Sequence, residues 1–295
     1  MTQEIRGWGS FENLPTDRTL VMGILNVTPD SFSDGGQHFG VEAALVHARQ
    51  LIADGADIID VGGESTRSGS TRISPEEEQR RVVPVIRELA KMGAVMSVDT
   101  FHPETARVAI EAGAHIINDV SGMNLSDEMI AVAAHFKVPY ILMHSRGTPE
   151  TMDSQAVYED TVSEICGELT QLRQRLLEGG VESENIIIDP GLGFAKSGDQ
   201  DWELLANVDR LERLGHPVLI AGSRKRFVAN LLDAEDDRRT GIVGNHRAPM
   251  DRDAATATIS ALSAQKNVWA VRVHNVRPTA DAIAVIEKLK RVSLR

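Results

Sequence analysis

The chain lacks the features that secreted and membrane proteins need. Its 295 residues include one cysteine, Cys166, so no disulfide can form within the chain, which agrees with a reducing compartment. Cys166 falls on the apolar stripe of a predicted helix, where we expect an unreactive core residue. No run approaches the roughly eighteen apolar residues of a transmembrane helix, and residues 1–19 lack the pattern of a secretory signal. We therefore expect a cytoplasmic protein without a membrane anchor.

Positive charge is also scarce. Lys and Arg number 31 against 43 Asp and Glu, which gives a formal net charge of −12. Proteins that bind nucleic acids cluster basic residues to meet phosphates, so this balance argues against such a partner. A small anionic ligand is still compatible with it, because a local basic pocket does not require a basic protein. The hydrophobic share of 42% and the charged share of 25% are those of an ordinary globular protein.

Several catalytic signatures are missing as well. There is no His, Cys or Asp cluster with zinc spacing, no serine in a nucleophile elbow and no Walker phosphate loop. Covalent catalysis by a protein nucleophile therefore has no support. No glycine-rich dinucleotide fingerprint follows any apolar run, which argues against an open doubly wound sheet, the main alternative to the architecture that follows.

Apolar strand-like runs alternate eight times with helix-like segments. Strands are predicted at 20–25, within 56–66, and at 94–98, 115–119, 139–144, 185–189, 217–223 and 267–275. Helices are predicted at 41–55, from Ser74 through a capping box with Glu77, at 103–112, 126–136, 156–178, 201–214 and 254–266, and at the end of the chain with Ile283, Ile286 and Leu289 inward. This alternation predicts one (β/α)₈ barrel over residues 20–292, preceded by an N-terminal extension at 1–19.

Three segments are predicted to be loops. NVTPDSFSDGG at 26–36 opens a connection of about fifteen residues, longer than most βα loops, and its Pro29 and glycines suggest a mobile lid. A second long mobile loop is expected after the second strand. The polar stretch at 233–253 is expected to be an irregular, solvated surface loop.

Polar residues end nearly every predicted strand, and in a barrel the site lies at those carboxyl ends. Capping of the next helix is the commoner role for any one of them, but their recurrence is unusual. Alternation places Asp99 and Asp189 in rows that can point inward. With the amide of Asn118 and the ammonium of Lys225, they could hold a heterocycle with an amidine-like edge and a carbonyl. The strand-end residues are Asn26, Asp60, Glu64, Asp99, Asn118, Asp119, His144, Asp189, Ser223, Arg272 and His274, with Lys225 just beyond Ser223.

A second, anionic sub-site is predicted beside the first. Arg272 and His274 are two residues apart on one strand and point the same way, and Arg67 adds another donor, so the three could hold a phosphate. His274 alone would more often be a core histidine. Asn26 offers an oxygen to a hard cation such as Mg²⁺, which typically takes water and phosphate oxygens as its other ligands.

Read as stretches, these residues resemble the dihydropteroate synthase family over about residues 20–290. Eight blocks occur in family order, and the first two alone are specific: MGILNVTPDSFSDGG (22–36), ADIIDVGGESTRSG (56–69), SVDT (97–100), INDVSG (117–122), LMHSRGTP (142–149), IDPGLGFAK (188–196), GSRKRF (222–227) and VRVHNV (271–276).

The resemblance implies a TIM barrel, Mg²⁺ and a homodimer. It implies joining of 6-hydroxymethyl-7,8-dihydropterin diphosphate to 4-aminobenzoate, giving 7,8-dihydropteroate and diphosphate in folate synthesis, and makes the protein a sulfonamide target. By position it implies pterin binding by Asp99, Asn118, Asp189 and Lys225, diphosphate binding by Asn26, Thr66, Arg67, Arg272 and His274, aminobenzoate binding by Phe32, Ser68 and Ser223, metal binding by Asn26, and catalytic roles for Asp34, Lys225 and Arg272.

Some positions depart from the family pattern. Ser68 stands where proline is common, Ser145 where methionine is common, and Asn275 where aspartate is usual. The first two leave aminobenzoate affinity and sulfonamide response open. Two other functions also stay open: a pterin-binding methyltransferase with a corrinoid partner, and a non-catalytic paralogue that binds pterin. The complete diphosphate set and the long first loop argue against the methyltransferase.

Overall fold

Eight parallel strands form a closed barrel in the computed structural model, which describes residues 8–27, 36–64, 72–244 and 246–293. They pair in the order β6-β5-β4-β3-β2-β1-β8-β7, and a parallel bridge from Ile188 to Val218 joins β6 to β7. The predicted (β/α)₈ barrel is confirmed. Its strands, β1 to β8, are Leu20–Asn26, Ile58–Gly62, Met96–Asp99, Ile116–Asp119, Tyr140–Met143, Ile186–Asp189, Leu219–Ile220 and Ala270–Val273.

Helices surround the barrel on its outer face. None of those described is long and apolar enough to cross a membrane. The segment predicted as one helix at 201–214 is divided in two at Asn207. The helices, α1 to α10, are Gly36–Ala53, Pro75–Lys91, Pro103–Glu111, Asp127–Phe136, Thr161–Glu178, Gln200–Ala206, Val208–Glu212, Arg226–Thr240, Asp253–Gln265 and Val276–Ser293, with short 3₁₀ turns at Phe11–Asn13, Gly122–Asn124, Met152–Gln155, Ser183–Asn185 and Pro249–Arg252.

The helix starts follow the capping residues in the sequence. Ser74 precedes α2, and its side chain accepts a hydrogen bond from the backbone N–H of Glu77, with Pro75 in the first turn. Ser126 and Asp160 cap α4 and α5 in the same way. These side chains satisfy backbone N–H groups that have no partner inside a helix, which fixes where each helix begins.

The loop after β1 is shorter than predicted. Helix α1 begins at Gly36 rather than near Val41, because Gly36 and Gly40 are poor helix formers and hid the first turn from a periodicity argument. The mobile parts expected after the first and second strands fall on 28–35 and 65–71, which lie outside the described residues.

Two other expectations about surface elements were wrong. Helix α8 runs through Thr240 into the segment predicted to be irregular, supported by exposed ion pairs between Glu235 and Arg238 and between Asp236 and Arg239. Leu289 was expected to point inward but is 55% exposed, and Glu287 is buried instead. Glu287 can be buried there because Lys290 donates to its carboxylate over 2.8 Å.

The described part of the N-terminal extension packs under the barrel. Leu14 is buried against the lowest layer of the barrel interior. Arg18 donates to both oxygens of Asp57, over 2.6 and 2.8 Å, and Trp8 adds a bond to the same carboxylate. This segment therefore closes the end of the barrel opposite to the carboxyl ends of the strands.

An apolar layer fills the lower half of the barrel interior, away from the carboxyl ends of the strands. The position of this layer determines which residues point inward in the upper half. Inward side chains alternate along each strand, so the next inward positions after this layer belong to the upper half of the barrel. On five strands that position is polar: Asp60 follows Ile58, Ser97 follows Val95, Asn118 follows Ile116, Asp189 follows Ile187, and Arg272 follows Ala270. The layer consists of Leu20, Met22, Ile58, Val95, Ile116, Ile141, Ile187, Leu219 and Ala270.

A buried carboxyl on α2 gives the fold a pH-dependent cost. Glu78 is 1% exposed and accepts a hydrogen bond from the Thr100 hydroxyl over 2.7 Å. Burial raises the pKa of Glu78 from 4.5 to about 7, against the effect of that hydrogen bond. The carboxyl therefore loses its proton at a lower pH in the unfolded chain than in the folded one. As a result, Glu78 lowers the free energy of unfolding as the pH rises from 4.5 to 7.

Glu78→Gln should accordingly raise the free energy of unfolding by about 2 kcal/mol at pH 8 and change it little at pH 5. Glutamine keeps the acceptor oxygen but cannot ionise. Thermal unfolding at both pH values measures the difference, and Glu88→Gln, a more exposed carboxyl on the same helix, serves as the control. An equal change at pH 5 and pH 8 would contradict the assignment.

Candidate active site

A fully buried carboxylate on β2 connects four strands above the apolar layer. Asp60 accepts from the Ser97 hydroxyl over 2.5 Å, from Arg272 Nε over 2.6 Å and from Asn118 Nδ2 over 3.2 Å. The donors come from β3, β4 and β8. Since each residue continues an inward row of its strand, the barrel's alternation brings them together.

Asp99 lies beside this group, and one of its oxygens has no partner among the described residues. Arg272 Nη2 donates to Asp99 Oδ2 over 2.5 Å, whereas Oδ1 is buried and accepts no hydrogen bond from that part of the chain. Burial raises the pKa of Asp99 to about 7, and the Arg272 charge opposes that rise. Burial alone would lower the pKa of Arg272, but the carboxylates of Asp60 and Asp99 raise it. Asp99 Oδ1 can therefore accept a hydrogen bond from a ligand.

Asp189, which ends β6, and Lys225, which directly precedes α8, add a second carboxylate and an ammonium at this end of the barrel. Asp189 Oδ1 accepts from the backbone N–H of Gly191 over 2.7 Å, and burial raises the pKa of Asp189. Lys225 Nζ donates to the Leu192 carbonyl and lies 4.6 Å from the centroid of the Phe194 ring. Burial lowers the pKa of Lys225 to about 8, although Asp189 acts to raise it.

The turn after β6 brings backbone close to the pocket and requires glycine. Gly191 has a φ of +67°, and a Cβ there would lie 1.7 Å from the carbonyl oxygen of His144. No other residue fits this position without moving the backbone. The turn can therefore place its Gly191 N–H on Asp189 and its Leu192 carbonyl on Lys225 at once.

Two residues predicted for different substrates lie together at the edge of the site. Ser223 Oγ is 3.0 Å from His274 Nδ1, and it also accepts from the His274 backbone N–H over 3.2 Å. The family resemblance implies that Ser223 binds the aminobenzoate and that His274 binds the diphosphate. Helix α8 begins three residues after Ser223, at Arg226.

The remaining predicted site residues divide into described and undescribed ones. Asn26 ends β1 with an exposed side chain, next to Val27, whose N–H bonds to the Gly62 carbonyl. Ser145 is buried, and Asn275 donates to Asp253 over 2.9 Å. The other five predicted site residues lie outside the described residues: Phe32, Asp34, Thr66, Arg67 and Ser68.

The sequence assigned no role to three residues of the site: Asp60, Ser97 and Lys196. Asp60 was noted only as a strand end, although its place two residues beyond Ile58 could have marked it as inward. Lys196 was quoted only as the last residue of the block at 188–196, because it lies in a loop. It is buried, donates to the Phe194 carbonyl over 2.8 Å and lies 3.2 Å from His144 Nδ1, and burial lowers its pKa to about 7.

Comparison with known proteins identifies the family. Residues 22–274 match the family described as pterin binding enzyme. The dihydropteroate synthase of Streptococcus pyogenes is 47% identical over 270 residues, covering 91% of this chain and 95% of that protein. The chain belongs to the dihydropteroate synthase family. The Bacillus subtilis dihydropteroate synthase agrees, with 43% identity over 92% of this chain and 89% of its own length.

Solved structures of the same family share the barrel. The Xanthomonas albilineans dihydropteroate synthase with 4-aminobenzoic acid has a TM-score of 0.83 and 41% identity, covering 93% of this chain and 94% of that one. The Yersinia pestis dihydropteroate synthase, in a sulfonamide drug complex, has a TM-score of 0.84 and 35% identity, covering 94% and 96%. The family, the barrel and the dihydropteroate synthase function expected from the sequence blocks are confirmed.

Proposed function

We propose that the pocket above the apolar layer holds the pterin in the dihydropteroate synthase reaction. The observation that carries this proposal is Asp99 Oδ1, which is buried without a partner among the described residues, at the same end of the barrel as the strand-end residues Asn118 and Asp189. Pterin carries an amino group and ring N–H groups along one edge, and these donors match carboxylate and amide acceptors. Lys225 supplies the donor for the pterin carbonyl or a ring nitrogen.

The diphosphate belongs next to the pterin, on the Arg272 side. Arg272 directs two of its N–H groups to Asp60 and Asp99. A guanidinium has five N–H donors, so the others can meet a diphosphate oxygen. His274 lies two residues after Arg272, just beyond the end of β8. We propose Thr66 and Arg67 as further donors from the loop after β2.

The aminobenzoate carboxylate is proposed to bind at Ser223, near the start of α8, where a helix N-terminus favours an anion. Phe32 and Ser68 are proposed to flank its ring. The Xanthomonas albilineans relative binds 4-aminobenzoic acid and 7,8-dihydropteroate in its solved structures, which supports the same two ligands here. Ser68 and Ser145 leave sulfonamide affinity to be measured.

Mg²⁺ is the proposed metal, with Asn26 as its protein ligand. The donor chemistry fits, since Asn26 ends its strand with an exposed carboxamide, whose oxygen is a hard ligand. Within the described ranges, no group of three or more His, Cys, Asp or Glu side chains could hold a metal ion alone. When bound with diphosphate oxygens and water, Mg²⁺ would neutralise charge that develops on the leaving group.

The proposed mechanism is a dissociative substitution. The C–O bond to the diphosphate breaks first and leaves a resonance-stabilised cation on the pterin methylene carbon. Arg272 and His274 stabilise the departing diphosphate, and the negative groups of the pocket stabilise the cation. The arylamine nitrogen then attacks the carbon and loses a proton. Closure of the first loop over the acceptor is proposed to assemble the aminobenzoate site.

Asp34 tests the cation step, since we propose that its carboxylate faces the developing charge. Asp34→Asn should lower kcat by about a hundredfold while the dissociation constants of both substrates change little. Single-turnover kinetics with separately measured affinities check this. Unchanged turnover at unchanged affinity would refute the cation-stabilising role.

The decisive test of the function is product formation. The protein is incubated with the pterin diphosphate, 4-aminobenzoate and Mg²⁺, and dihydropteroate and diphosphate are measured, with a chelator-treated sample as the metal control. Both products should form, and chelation should abolish turnover. A folded protein that binds pterin but forms no product would favour the non-catalytic alternative, and activity only with a methyl donor and corrinoid partner would favour the methyltransferase.

A homodimer is proposed from an exposed apolar face on the last two helices. Val285, Leu289 and Val292 repeat at helical spacing on α10 and are 59%, 55% and 46% exposed, and Leu262 on α9 is 57% exposed. A second copy of the chain would cover this face. Light scattering of the wild type and Leu289→Glu distinguishes dimer from monomer.

We also propose a cytoplasmic location for the protein, and domain boundaries that divide it into an N-terminal extension at 1–19 and the barrel at 20–292.

A further inference from the structure

Both carboxylate oxygens of Asp60 accept hydrogen bonds from other side chains of the protein. Oδ1 accepts from Ser97 over 2.5 Å and from Asn118 over 3.3 Å, and Oδ2 accepts from Arg272 over 2.6 Å and from Asn118 over 3.2 Å. The residue is 0% exposed. It therefore cannot be a ligand-binding group itself. One of its three donors, Asn118, is however proposed to bind the pterin, and another, Arg272, is proposed to bind the neighbouring diphosphate.

The charge of Asp60 determines how the Asn118 amide is turned. An ionised carboxylate has only acceptors, so the amide must present Nδ2 to it. The Asn118 oxygen is then the atom that remains for a ligand. Arg272 is fixed by the same carboxylate and by Asp99, which holds the guanidinium between two strands. Asp60 thus makes Asn118 an acceptor and keeps Arg272 from turning into the pterin pocket.

We propose that Asp60 is a positioning residue that sets the pocket's preference for a ring edge rich in donors, acting through Asn118 and Arg272. The inference rests on the proposed pterin site. With Asn118 turned this way, Asp99 Oδ1, the Asn118 oxygen and the Asp189 carboxylate all face the ligand as acceptors. A pteridine with a 2-amino group matches this row. A pteridine with oxygen at position 2 places an acceptor against it and is rejected.

Asp60→Asn tests the inference because it keeps the shape and removes the charge. An amide at position 60 presents a donor as well as an acceptor, so Asn118 can turn its own Nδ2 toward the ligand. The dissociation constants of 6-hydroxymethylpterin and 6-hydroxymethyllumazine, which differ in the 2-amino or 2-oxo group, are measured by calorimetry. We expect the variant to lose about tenfold in pterin affinity and at least about tenfold in the ratio of the two constants.

Asp119→Asn is the matched control. Asp119 is a similarly buried carboxylate, 2% exposed, at the end of β4, but it faces outward and accepts from Tyr140 and Ser121. This variant should lose stability without changing the pterin-to-lumazine ratio. If Asp60 has a merely structural role, both variants will keep the wild-type ratio, and the inference is overturned.

A second variant covers the case in which Asp60→Asn does not fold. Ser97→Ala leaves the charge and removes one bond that holds Asp60, so a smaller drop in the ratio, about twofold to threefold, is expected. An unchanged ratio in folded Ser97→Ala would then overturn the inference. If the wild type binds neither pteridine, the proposed pterin site fails and the inference fails with it. Wild-type pterin binding with an unchanged ratio in Asp60→Asn sinks the inference alone.

Discussion

Arg272→Met is expected to reduce turnover by roughly a thousandfold and to lower the free energy of unfolding by about 3–5 kcal/mol. Both effects have one cause. The guanidinium binds the buried carboxylates of Asp60 and Asp99, and its remaining donors are proposed to hold the leaving diphosphate. Methionine fills the space but leaves the buried carboxyl groups of Asp60 and Asp99 without the cation that both of them bind. A buried pair that loses one partner costs far more than the pair contributes.

The measurement combines steady-state kinetics with denaturant unfolding. Arg272→Lys keeps a charge but loses the planar fork, so it should recover part of the stability and little of the turnover. Arg18→Met is the control, because it removes an Arg–Asp pair with Asp57 at the opposite end of the barrel. It should cost about 2 kcal/mol of stability and leave turnover within about twofold. Turnover within tenfold of the wild type in Arg272→Met would show that Arg272 does not serve the reaction.

The barrel could be predicted from the sequence because the patterns that indicate its strands and helices are local. Apolar runs, caps and alternation each involve neighbouring residues, so the strand ends at Asp99, Asp189 and Arg272 could be placed on inward rows without tertiary information. Alternation alone also implied that Arg272 and His274 share a face. The site's location at the carboxyl ends followed from barrel geometry.

Pairing between distant residues could not be predicted in the same way. Arg272 is 212 residues from Asp60 and 173 from Asp99, and nothing local marks the two bonds. The sequence therefore predicts only diphosphate binding and a catalytic role for Arg272, whereas its guanidinium also forms ion pairs with two buried carboxylates. RKRFVANLL at 224–232 predicts a short helix, but the last turns of α8 were missed for a related reason, since they have no apolar face and are supported by exposed ion pairs. A helix segment of this kind cannot be predicted from hydrophobic periodicity.

Lys225 gives the second large expected effect, as a loss of pterin affinity when the pH rises through about 8. Burial lowers the pKa of Lys225 from 10.5 to about 8, and Asp189, Asp201 and Asp99 oppose that change while Arg272 adds to it. Below pH 8 the ammonium can donate a charge-assisted bond to the pterin. Above it the neutral amine cannot, so affinity should fall by up to about tenfold per pH unit.

Stability should move the other way in the same range. Between the folded pKa of about 8 and the ordinary value of 10.5, the unfolded chain keeps a proton that the folded chain has lost. The contribution of Lys225 to the free energy of unfolding therefore rises with pH in that window. Opposite trends in affinity and stability separate a binding effect from general unfolding at alkaline pH.

Lys225→Met decides whether this lysine is the titrating group. The variant should bind pterin roughly a hundredfold more weakly at pH 7, because a buried charged donor is lost, and its affinity should no longer change between pH 7 and 9. Pterin titrations at several pH values, beside unfolding curves in the same buffers, measure both trends. A variant that keeps the wild-type decline in affinity would assign the titration to another group, such as the buried Lys196, because burial lowers its pKa to about 7.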